Sequence, residues 1–311
     1  MSKPATPREG VTVAIPVYNG ADRLEKVVPM WGDALARFGR EYEILVVNDG
    51  STDATPALLE KLAAGRVKHL QVLNHESPKG FGASLRTALE QAKHPLFFYT
   101  ALDYPYAPHD LAKLLQRIEV RDAVLGKQPD LVSGCRTGRP TPGPVAAFGK
   151  GWRLLWRVTL GLELEPLPAW PGLRGYLYGL FVGWTFSVPL ADVNSKFKLF
   201  RTSFLKRFPI QSNSDFVHTE LVAKATFLTS ILDELPLTPS EALHEKSASV
   251  WRDFWRVFNN PDFGNPTTPI AGEPGAPEVP VTLPGAVPDA RGPEHTNLPL
   301  DLGGTGILAC V

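Results

Sequence analysis

This chain of 311 residues has only two cysteines, no net charge and few long apolar runs, and each of these features excludes a class of protein. The two cysteines, Cys135 and Cys310, lie far apart and match neither a disulfide framework nor a zinc-binding spacing, so we expect a reducing compartment. The 32 basic and 32 acidic residues balance, and nothing in this composition predicts nucleic-acid binding. The first residues, MSKPATPREG, contain no apolar core of a signal peptide, and we predict a cytoplasmic location.

The most apolar stretch of the second half, Tyr176–Leu190, contains glycines and Pro189 and is too short to span a bilayer comfortably. The amphipathic aromatic rings in and before this stretch have two interpretations. They contact the headgroup level of a membrane, as in a peripheral protein, or they pack in a core. The rings belong to Trp152, Trp156, Trp170, Tyr176, Tyr178 and Trp184.

Apolar strand candidates and helical patterns alternate through the first half of the chain. The segment Ala21–Phe38 has apolar residues at three- and four-residue spacing, and Asp53 is a natural N-cap for a helix over Ala54–Leu62. This alternation predicts an α/β fold with a Rossmann-like, mostly parallel sheet flanked by helices. The strand candidates are Val11–Pro16, Tyr42–Val47, Val67–Leu73, Leu96–Thr100 and Leu131–Gly134.

The pattern changes after Pro140 and again at Asn259. The middle region contains a predicted amphipathic helix, Phe148–Leu162. Ten prolines follow Asn259, and few bulky apolar residues remain there to offset an ordering entropy of about 1–2 kcal/mol per residue. We predict a domain over 8–258, with halves 8–139 and 140–258 and helices in the second half, followed by a disordered Pro/Gly-rich tail over 259–311.

The segment Ile44–Thr55, ILVVNDGSTDAT, has the pattern of a ligand-binding edge. An apolar strand runs into two carboxylates, Asp49 and Asp53, and then into the start of a helix. In open α/β sheets, ligands bind beyond the carboxyl ends of such strands. The sequence therefore predicts that Asp49 and Asp53 lie beside a bound nucleotide.

The end of the first strand, VAIPVYNG, adds a flat aromatic ring to this edge. Pro16 is expected to stop hydrogen-bond pairing, and Tyr18 offers a ring face and a hydroxyl at the carboxyl end of the strand. Together with Asp49, which can accept a hydrogen bond from a base N–H, these residues predict a pocket for a planar base.

The succession of IPVYNG and VVNDGSTD resembles the opening of glycosyltransferase family 2, the nucleotide-sugar-dependent transferases of GT-A fold. The segment SPKGFGASLRTAL is similar to the third signature of that family, with Gly80, Gly82 and Arg86 at matching positions. Within the family, the chain most resembles the dolichyl- and polyprenyl-phosphate mannosyl- and glucosyltransferases.

The fourth signature of this subgroup is a strand that ends in an Asp-x-Asp triplet. Here FFYTALDYPYAPHDL keeps Asp103 at the second Asp, while Ala101 replaces the first. The resemblance implies a divalent cation, Mg²⁺ or Mn²⁺, bound by Asp103, because such an ion takes only one or two ligands from protein when a diphosphate supplies others. Ala101 also keeps an alternative open, a catalytically degenerate protein that binds nucleotide sugars.

Later segments resemble the acceptor side of the same subgroup. DLVSGCRTGR places Cys135 at a usual serine and Arg136 at the matching arginine, ADVNSKFKLF places Lys198 at a matching basic position, and DFVHTELVAKA places Glu220 at an acidic one. The segment with Lys246 stands where relatives carry a basic loop. For Glu220 and Lys246, a plain exposed charge is the competing interpretation.

The resemblance implies inverting transfer of a hexose from a nucleoside-diphosphate sugar, in cell-envelope glycan synthesis. Asp103 would hold the metal, and Arg136, Lys198 and Lys246 would be supplementary cations for the leaving diphosphate. For a glycan or lipid hydroxyl acceptor the general base would be Glu220, then Asp215 or Asp192. A polyprenyl phosphate acceptor, at the inner face of a membrane, would need cations instead of a base. The candidate cations are Lys196, Lys198, Arg201, Lys206 and Arg207. A solvated basic face is the competing interpretation of this cluster. A nucleotidyltransferase is a third class, but Val13–Gly20 lacks the basic residues of its loop.

Overall fold

The computed structural model describes residues 8–103, 106–123, 125–136, 181–183, 185–186, 188, 190, 192–228, 231–237 and 251–264. The chain divides into two units, Met1–Ile270 and Ala271–Val311, and all the described residues belong to the first. Within these ranges, every helix is too short or too polar to cross a lipid bilayer.

A seven-stranded sheet forms the centre of the described part of the chain. Its strands are β1 (Val11–Val17), β2 (Tyr42–Asn48), β3 (Leu70–Asn74), β4 (Leu96–Tyr99), β5 (Leu131–Arg136), β6 (Lys198–Arg201) and β7 (Leu232–Leu237). Their order in the sheet is β3-β2-β1-β4-β6-β5-β7. Pairs β3-β2, β2-β1, β1-β4 and β5-β7 are parallel, and β6 runs antiparallel to both β4 and β5.

Helices cover both faces of the sheet, which explains the continuous apolar runs of its central strands. The helices of the described residues are α1 (Ala21–Arg37), α2 (Thr55–Lys61), α3 (Phe81–Gln91), α4 (Pro108–Glu119), α5 (Thr202–Leu205), α6 (Val217–Leu228) and α7 (Trp251–Asn259). Val13 and Ile15 pack with α1 and α4 on one face, and Ala14 packs with α3 and α6 on the other. The prediction of an α/β fold with a mostly parallel sheet flanked by helices is confirmed.

The predicted strand positions hold to within a few residues. The largest difference is β3, which begins at Leu70 rather than Val67. A π-helical turn extends α2 to Arg66, and positive φ angles at Gly65 and His69 turn the chain before β3 can start. Helix α2 begins one residue later than expected, with Ala54 at the cap position.

Several predictions for the second half lie outside the described residues. These are the helix Phe148–Leu162 and the aromatic rings between Trp152 and Trp184, together with Lys246 and the tail beyond residue 264. The described part of the predicted tail starts inside α7, at Asn259, and Asn260–Gly264 lie against the domain. The Asp262 N–H donates to Gln211 Oε1 at 2.8 Å, and Gly264 packs against the backbone of Arg207.

Candidate functional site

The sheet topology brings the predicted ligand-binding loops to one edge. Strands β1, β2, β3 and β4 are parallel, so the loops that follow Val17, Asn48, Asn74 and Tyr99 all lie at their common carboxyl end. The chain passes from β1 outward to β2 and β3, and then returns to place β4 on the other side of β1. The crevice between the ends of β1 and β4 is therefore the switch point at which open α/β sheets bind ligands.

The loops after β1 and β2 are joined by hydrogen bonds. Asn19, in a left-handed conformation with φ 49°, accepts a hydrogen bond of 2.9 Å from the Thr52 N–H at Oδ1, and its own N–H donates to Ser51 Oγ at 3.0 Å. The Gly20 N–H donates to Thr55 Oγ1 at 3.0 Å. Tyr18 is 54% exposed beside this network, so its ring face is available to a ligand.

Pro16 lies inside β1 and is buried, and pairing continues past it, contrary to expectation. Proline removes only its own N–H, and the next carbonyl, of Val17, accepts a hydrogen bond of 2.8 Å from the Asp49 N–H. Pro16 is therefore part of the paired strand and does not end it.

Asp49 is buried and holds the loop that follows β3. Its Oδ1 accepts from the Lys79 N–H at 2.9 Å and lies 2.7 Å from His75 Nδ1, and its Oδ2 accepts from the Gly80 N–H at 2.8 Å. The other ring nitrogen of His75 lies 3.0 Å from Thr87 Oγ1. A carboxylate has about four lone-pair positions, and these three contacts use all but one of them, so the contact of Asp49 with a base stays a prediction.

Asp53 ties the second loop to the start of α1. Its Oδ1 accepts from the Thr55 N–H at 3.0 Å and its Oδ2 from the Ala21 N–H at 3.3 Å. Hydrogen bonds from Thr55, the side chain contributing most, and from the Ala21 backbone hold the pKa of Asp53 below its usual range, although burial opposes them. Asp53 is exposed and ionised at this edge.

The glycine-rich turn before α3 packs directly on the segment 210–214. Gly80 has φ 101°, and a Cβ on either Gly80 or Gly82 would overlap a backbone carbonyl oxygen, that of Asn213 or Ser212 respectively. The Gly82 N–H donates to the Asn213 carbonyl at 2.9 Å. Arg86 donates to the Ile210 carbonyl and, at 2.6 Å, to Asn213 Oδ1, so it braces this contact.

The loop after β4 meets the loop after β1 at the crevice. Leu102 lies so close to Gly20 that a Cβ there would be 2.5 Å from Leu102 Cδ2. Asp103 follows and is exposed, while Ala101 is buried at 7% exposure. Within the described ranges, no three His, Cys, Asp or Glu side chains cluster as a metal site. Asp103 fits a divalent ion only where phosphate oxygens and water complete its shell.

The described geometry at this edge agrees with the sequence profile of glycosyl transferase family 2, which matches residues 12–158. This match covers just under half of the chain. The matched residues include β1, β2, β3 and β4 and the loops at their carboxyl ends.

Curated relatives of this chain include two lipid-phosphate glycosyltransferases by name. Dodecaprenyl-phosphate galacturonate synthase of Rhizobium johnstonii is 23% identical over 63% of this chain and 49% of the relative. Polyprenol monophosphomannose synthase of Mycolicibacterium smegmatis is 29% identical over 56% of this chain and 64% of the relative. The chain thus spans about half to two thirds of these relatives. Among solved structures, a mannosyltransferase of Pyrobaculum calidifontis in complex with GDP-Man and Mn²⁺ is 20% identical, with a TM-score of 0.49 over 79% of this chain and 61% of that one.

The acidic residue expected to face the acceptor is buried on α6, outside the residues that the family model matches. Glu220 is 1% exposed, and its two oxygens accept the N–H groups of Gln211 and Ser212, each at 2.7 Å. Lys224 Nζ lies 2.7 Å from Glu220 Oε1; burial lowers the pKa of Lys224, and the Glu220 charge opposes this in part. This arrangement makes Glu220 a structural carboxylate and does not support the general-base prediction.

The predicted basic cluster is divided between the two ends of β6. Lys198 is fully buried and donates to the carbonyls of Val193 and Ser195, and Lys196 lies 3.5 Å from Asp215 and over the Phe81 ring. Arg201, at the other end, binds Glu9 and Gln128. Because Lys198 and Arg201 lie at opposite ends of β6, a single ligand phosphate does not contact both. For Arg136, the structure describes only the backbone, as the last residue of β5.

Sequence reasoning missed the residues that support the turn from a distance. His75 follows β3, and its position at a strand end was a usable signal. Asn213 and Asp253 lie more than 120 residues from Gly80, in segments without a recognisable motif. Asp253 Oδ2 accepts the N–H groups of Asn213 and Ser214, at 3.0 and 2.8 Å.

A cavity of about 540 Å³ lies at the opposite edge of the sheet, near the amino ends of β2 and β3. Its lining includes Arg40, Tyr42, Glu43, His69 and Lys93, and none of the predicted site residues. Its size does not make it the candidate site, because ligands of open α/β sheets bind at the carboxyl edge.

Proposed function

We propose that this chain transfers a hexose, with inversion, from a nucleoside-diphosphate sugar to a polyprenyl phosphate. The match to family 2 supports the reaction class, and the two lipid-phosphate relatives support the acceptor. Because such an acceptor lies in a membrane, the proposed enzyme works at the cytoplasmic face of that membrane as a peripheral protein.

The observation that carries this proposal is the meeting of three loops at the switch point. The hydrogen bonds of Asn19 to the second loop and the contact of Leu102 with Gly20 support a site in which Tyr18, Asp53 and Asp103 surround one crevice. In the proposed complex, Tyr18 stacks on the base, and the remaining lone pair of Asp49 accepts a base N–H. Asp103 is on the opposite side of β1, toward the diphosphate.

The leaving diphosphate gains negative charge as the sugar departs, and the site has to stabilise that charge. Asp103 would hold a Mg²⁺ or Mn²⁺ ion, which would supply positive charge to stabilise the departing diphosphate. Arg136 is the proposed cation of the protein at the end of β5. Lys198 is proposed only as a support for the loop 193–195, whose carbonyls it binds.

The buried state of Glu220 favours a phosphate acceptor over a hydroxyl. A hydroxyl needs a general base within hydrogen-bond reach, and both oxygens of Glu220 already accept backbone N–H groups. A polyprenyl phosphate is ionised at neutral pH and attacks without a base. If the acceptor were a hydroxyl, Asp215, partly exposed beside Lys196, would be the next candidate.

A transfer assay tests this proposal with a panel of UDP- and GDP-hexoses and with undecaprenyl phosphate or undecaprenol as acceptor. We expect Mg²⁺- or Mn²⁺-dependent product with the phosphate only. Asp103→Ala should lower the rate by about 10² to 10³, as expected for the loss of a stabiliser of developing charge. The matched control is Glu90→Ala, an exposed carboxylate near the C-terminal end of α3. Full activity of Asp103→Ala would remove the metal assignment.

A degenerate protein that binds nucleotide sugars is the second candidate, favoured by the buried methyl group of Ala101 where relatives carry a carboxylate. This candidate predicts that nucleoside diphosphates raise the melting temperature while no acceptor yields product. Restoring the triplet with Ala101→Asp would then be expected to create metal-dependent binding.

A further inference from the structure

The exposed aromatic side chains of the described residues lie mainly on α7, with one more on α6. Among the described residues, eight large apolar side chains are exposed, and the aromatic ones other than Tyr18 all belong to these two helices. Their exposed fractions are 61% for Phe227, 56% for Trp251, 55% for Trp255 and 43% for Phe258.

Three of these rings form one stripe along α7. Trp251, Trp255 and Phe258 follow a spacing of four and three residues, which places them on the same side of the helix. The stripe is held in place, because Phe254 and Val257 are buried on another side and Phe254 lies 5.1 Å from the Trp255 ring, centroid to centroid. The exposed rings are therefore presented by a helix fixed to the domain.

The charges of α7 complement an anionic surface. Arg252 and Arg256 are both exposed, and the helix has a single carboxylate, Asp253. That carboxylate is buried and already accepts the N–H groups of Asn213 and Ser214 as well as pairing with Arg256 at 2.7 Å. The outer side of α7 thus offers aromatic rings and positive charge together.

We propose that α7 docks this chain on an anionic lipid bilayer, with the rings of Trp251, Trp255 and Phe258 at the headgroup level and Arg252 against lipid phosphates. Tryptophan and phenylalanine rings suit this level, and each basic residue near an anionic surface adds attraction. The inference rests on the proposed function, because a polyprenyl phosphate lies in a membrane. A second copy of the chain fits this face less well, since a two-fold contact would bring the arginines of both copies together.

Vesicle flotation of the full chain tests this surface. The probes are phosphatidylcholine vesicles with and without phosphatidylglycerol, free of polyprenyl phosphate. We expect binding to the anionic vesicles, and a loss of about tenfold or more in Trp251→Ser/Trp255→Ser. The matched control is Val120→Ser/Leu125→Ser, which removes two apolar side chains of similar exposure, 49% and 52%, outside α7 and should bind like the wild type.

Arg252→Glu keeps the inference testable if the tryptophan variant melts early, because it leaves the ring contacts in place. It should reduce binding to anionic vesicles and leave the melting temperature unchanged. Wild-type protein that ignores the vesicles, or variants that bind as well as the wild type, would overturn the inference. So would sedimentation that shows a lipid-free dimer dissociated by Trp251→Ser/Trp255→Ser.

The failure of the inference and of the proposed function give different results. Vesicle binding is measured without donor or acceptor, and nucleotide-sugar binding is measured by thermal shift without lipid. Vesicle binding without any transfer would remove the proposed function alone. Transfer to undecaprenyl phosphate in detergent, by a chain that does not bind vesicles, would remove the docking surface alone.

Discussion

The carboxylate of Asp49, at the end of β2, accepts the backbone N–H of Gly80 at 2.8 Å, across 31 residues of chain. The same carboxylate accepts the Lys79 N–H and contacts His75. Gly80 in turn lies against Asn213, which is bound by Asp253 of α7. One contiguous set of contacts therefore runs from the proposed donor site to the proposed membrane surface.

Asp49→Ala is expected to destabilise the protein. The change removes the acceptor of two partly buried backbone N–H groups, those of Lys79 and Gly80, at a total cost of about 1–3 kcal/mol. Urea unfolding should show this loss of free energy of unfolding, and nucleoside diphosphates should bind more weakly because the loop 75–80 loosens. Asp33→Ala, an exposed carboxylate on α1, is the control. Unchanged stability of Asp49→Ala would contradict the bracing role.

Gly82→Ala should disturb the contact between the glycine-rich turn and the segment 210–214. Its Cβ would overlap the Ser212 carbonyl, and overpacking against backbone costs about 1–3 kcal/mol. The comparison is Gly39→Ala, where φ is 64° but an added Cβ would have no neighbouring atom within 4 Å, so only backbone strain remains. Urea unfolding of both variants separates the two costs, and equal losses would refute the steric argument.

The loops at the carboxyl edge could be predicted from sequence because parallel strands force their ends together. Tyr18, Asp53 and Asp103 each follow an apolar run, and a switch in strand order then fixes their common edge. The support for these loops could not be predicted in this way, because Asn213 reaches Gly80 across more than 120 residues. The role of Glu220 had a local signal that was not used, the i,i+4 spacing to Lys224, which marks a helix ion pair.

Tyr18→Ala should weaken donor binding without affecting stability. Stacking of a base on an aromatic ring contributes about 1–3 kcal/mol by alanine substitution, and Tyr18 is 54% exposed, so the fold loses little. Calorimetric titration with nucleoside diphosphates should show a rise in Kd of about fivefold to 150-fold. Tyr18→Phe keeps the ring and should bind nearly normally. Equal affinities for all three proteins would exclude Tyr18 from the base site.

The attachment of α7 should weaken in acid. Burial, the largest single influence, disfavours ionisation of Asp253, but hydrogen bonds from Ser214 and Asn213 and the charge of Arg256 outweigh it and hold the pKa below its usual range. A depressed pKa gives stability that is present above the unfolded value of about 4 and lost as pH falls through the folded value.

The stability difference between the wild type and Asp253→Asn should therefore be largest near neutral pH and shrink below about pH 4. Urea unfolding at several pH values measures it, with Asp33→Asn as an exposed control that shows no such trend. A difference that is constant from neutral pH to pH 3 would show that the ionised carboxylate contributes nothing.

Glu220→Gln separates the catalytic hypothesis from the structural one, because the two predict opposite readouts. A general base would lose most of kcat while the fold stayed stable. If Glu220 is instead a structural carboxylate, its replacement leaves Lys224 as an uncompensated buried charge, which lowers the free energy of unfolding by about 3–5 kcal/mol. We expect the second outcome, with kcat per folded molecule nearly unchanged for a phosphate acceptor.

The double variant Glu220→Gln/Lys224→Met completes the argument. Replacing both members of a buried ion pair with uncharged groups is often neutral, whereas breaking it from one side is costly, so the second change should restore much of the lost stability. The glutamine carbonyl can still accept one of the N–H groups of Gln211 and Ser212. Recovery of stability without a change in kcat would assign Glu220 to the fold, whereas a stable double variant with no transfer would return it to the chemistry.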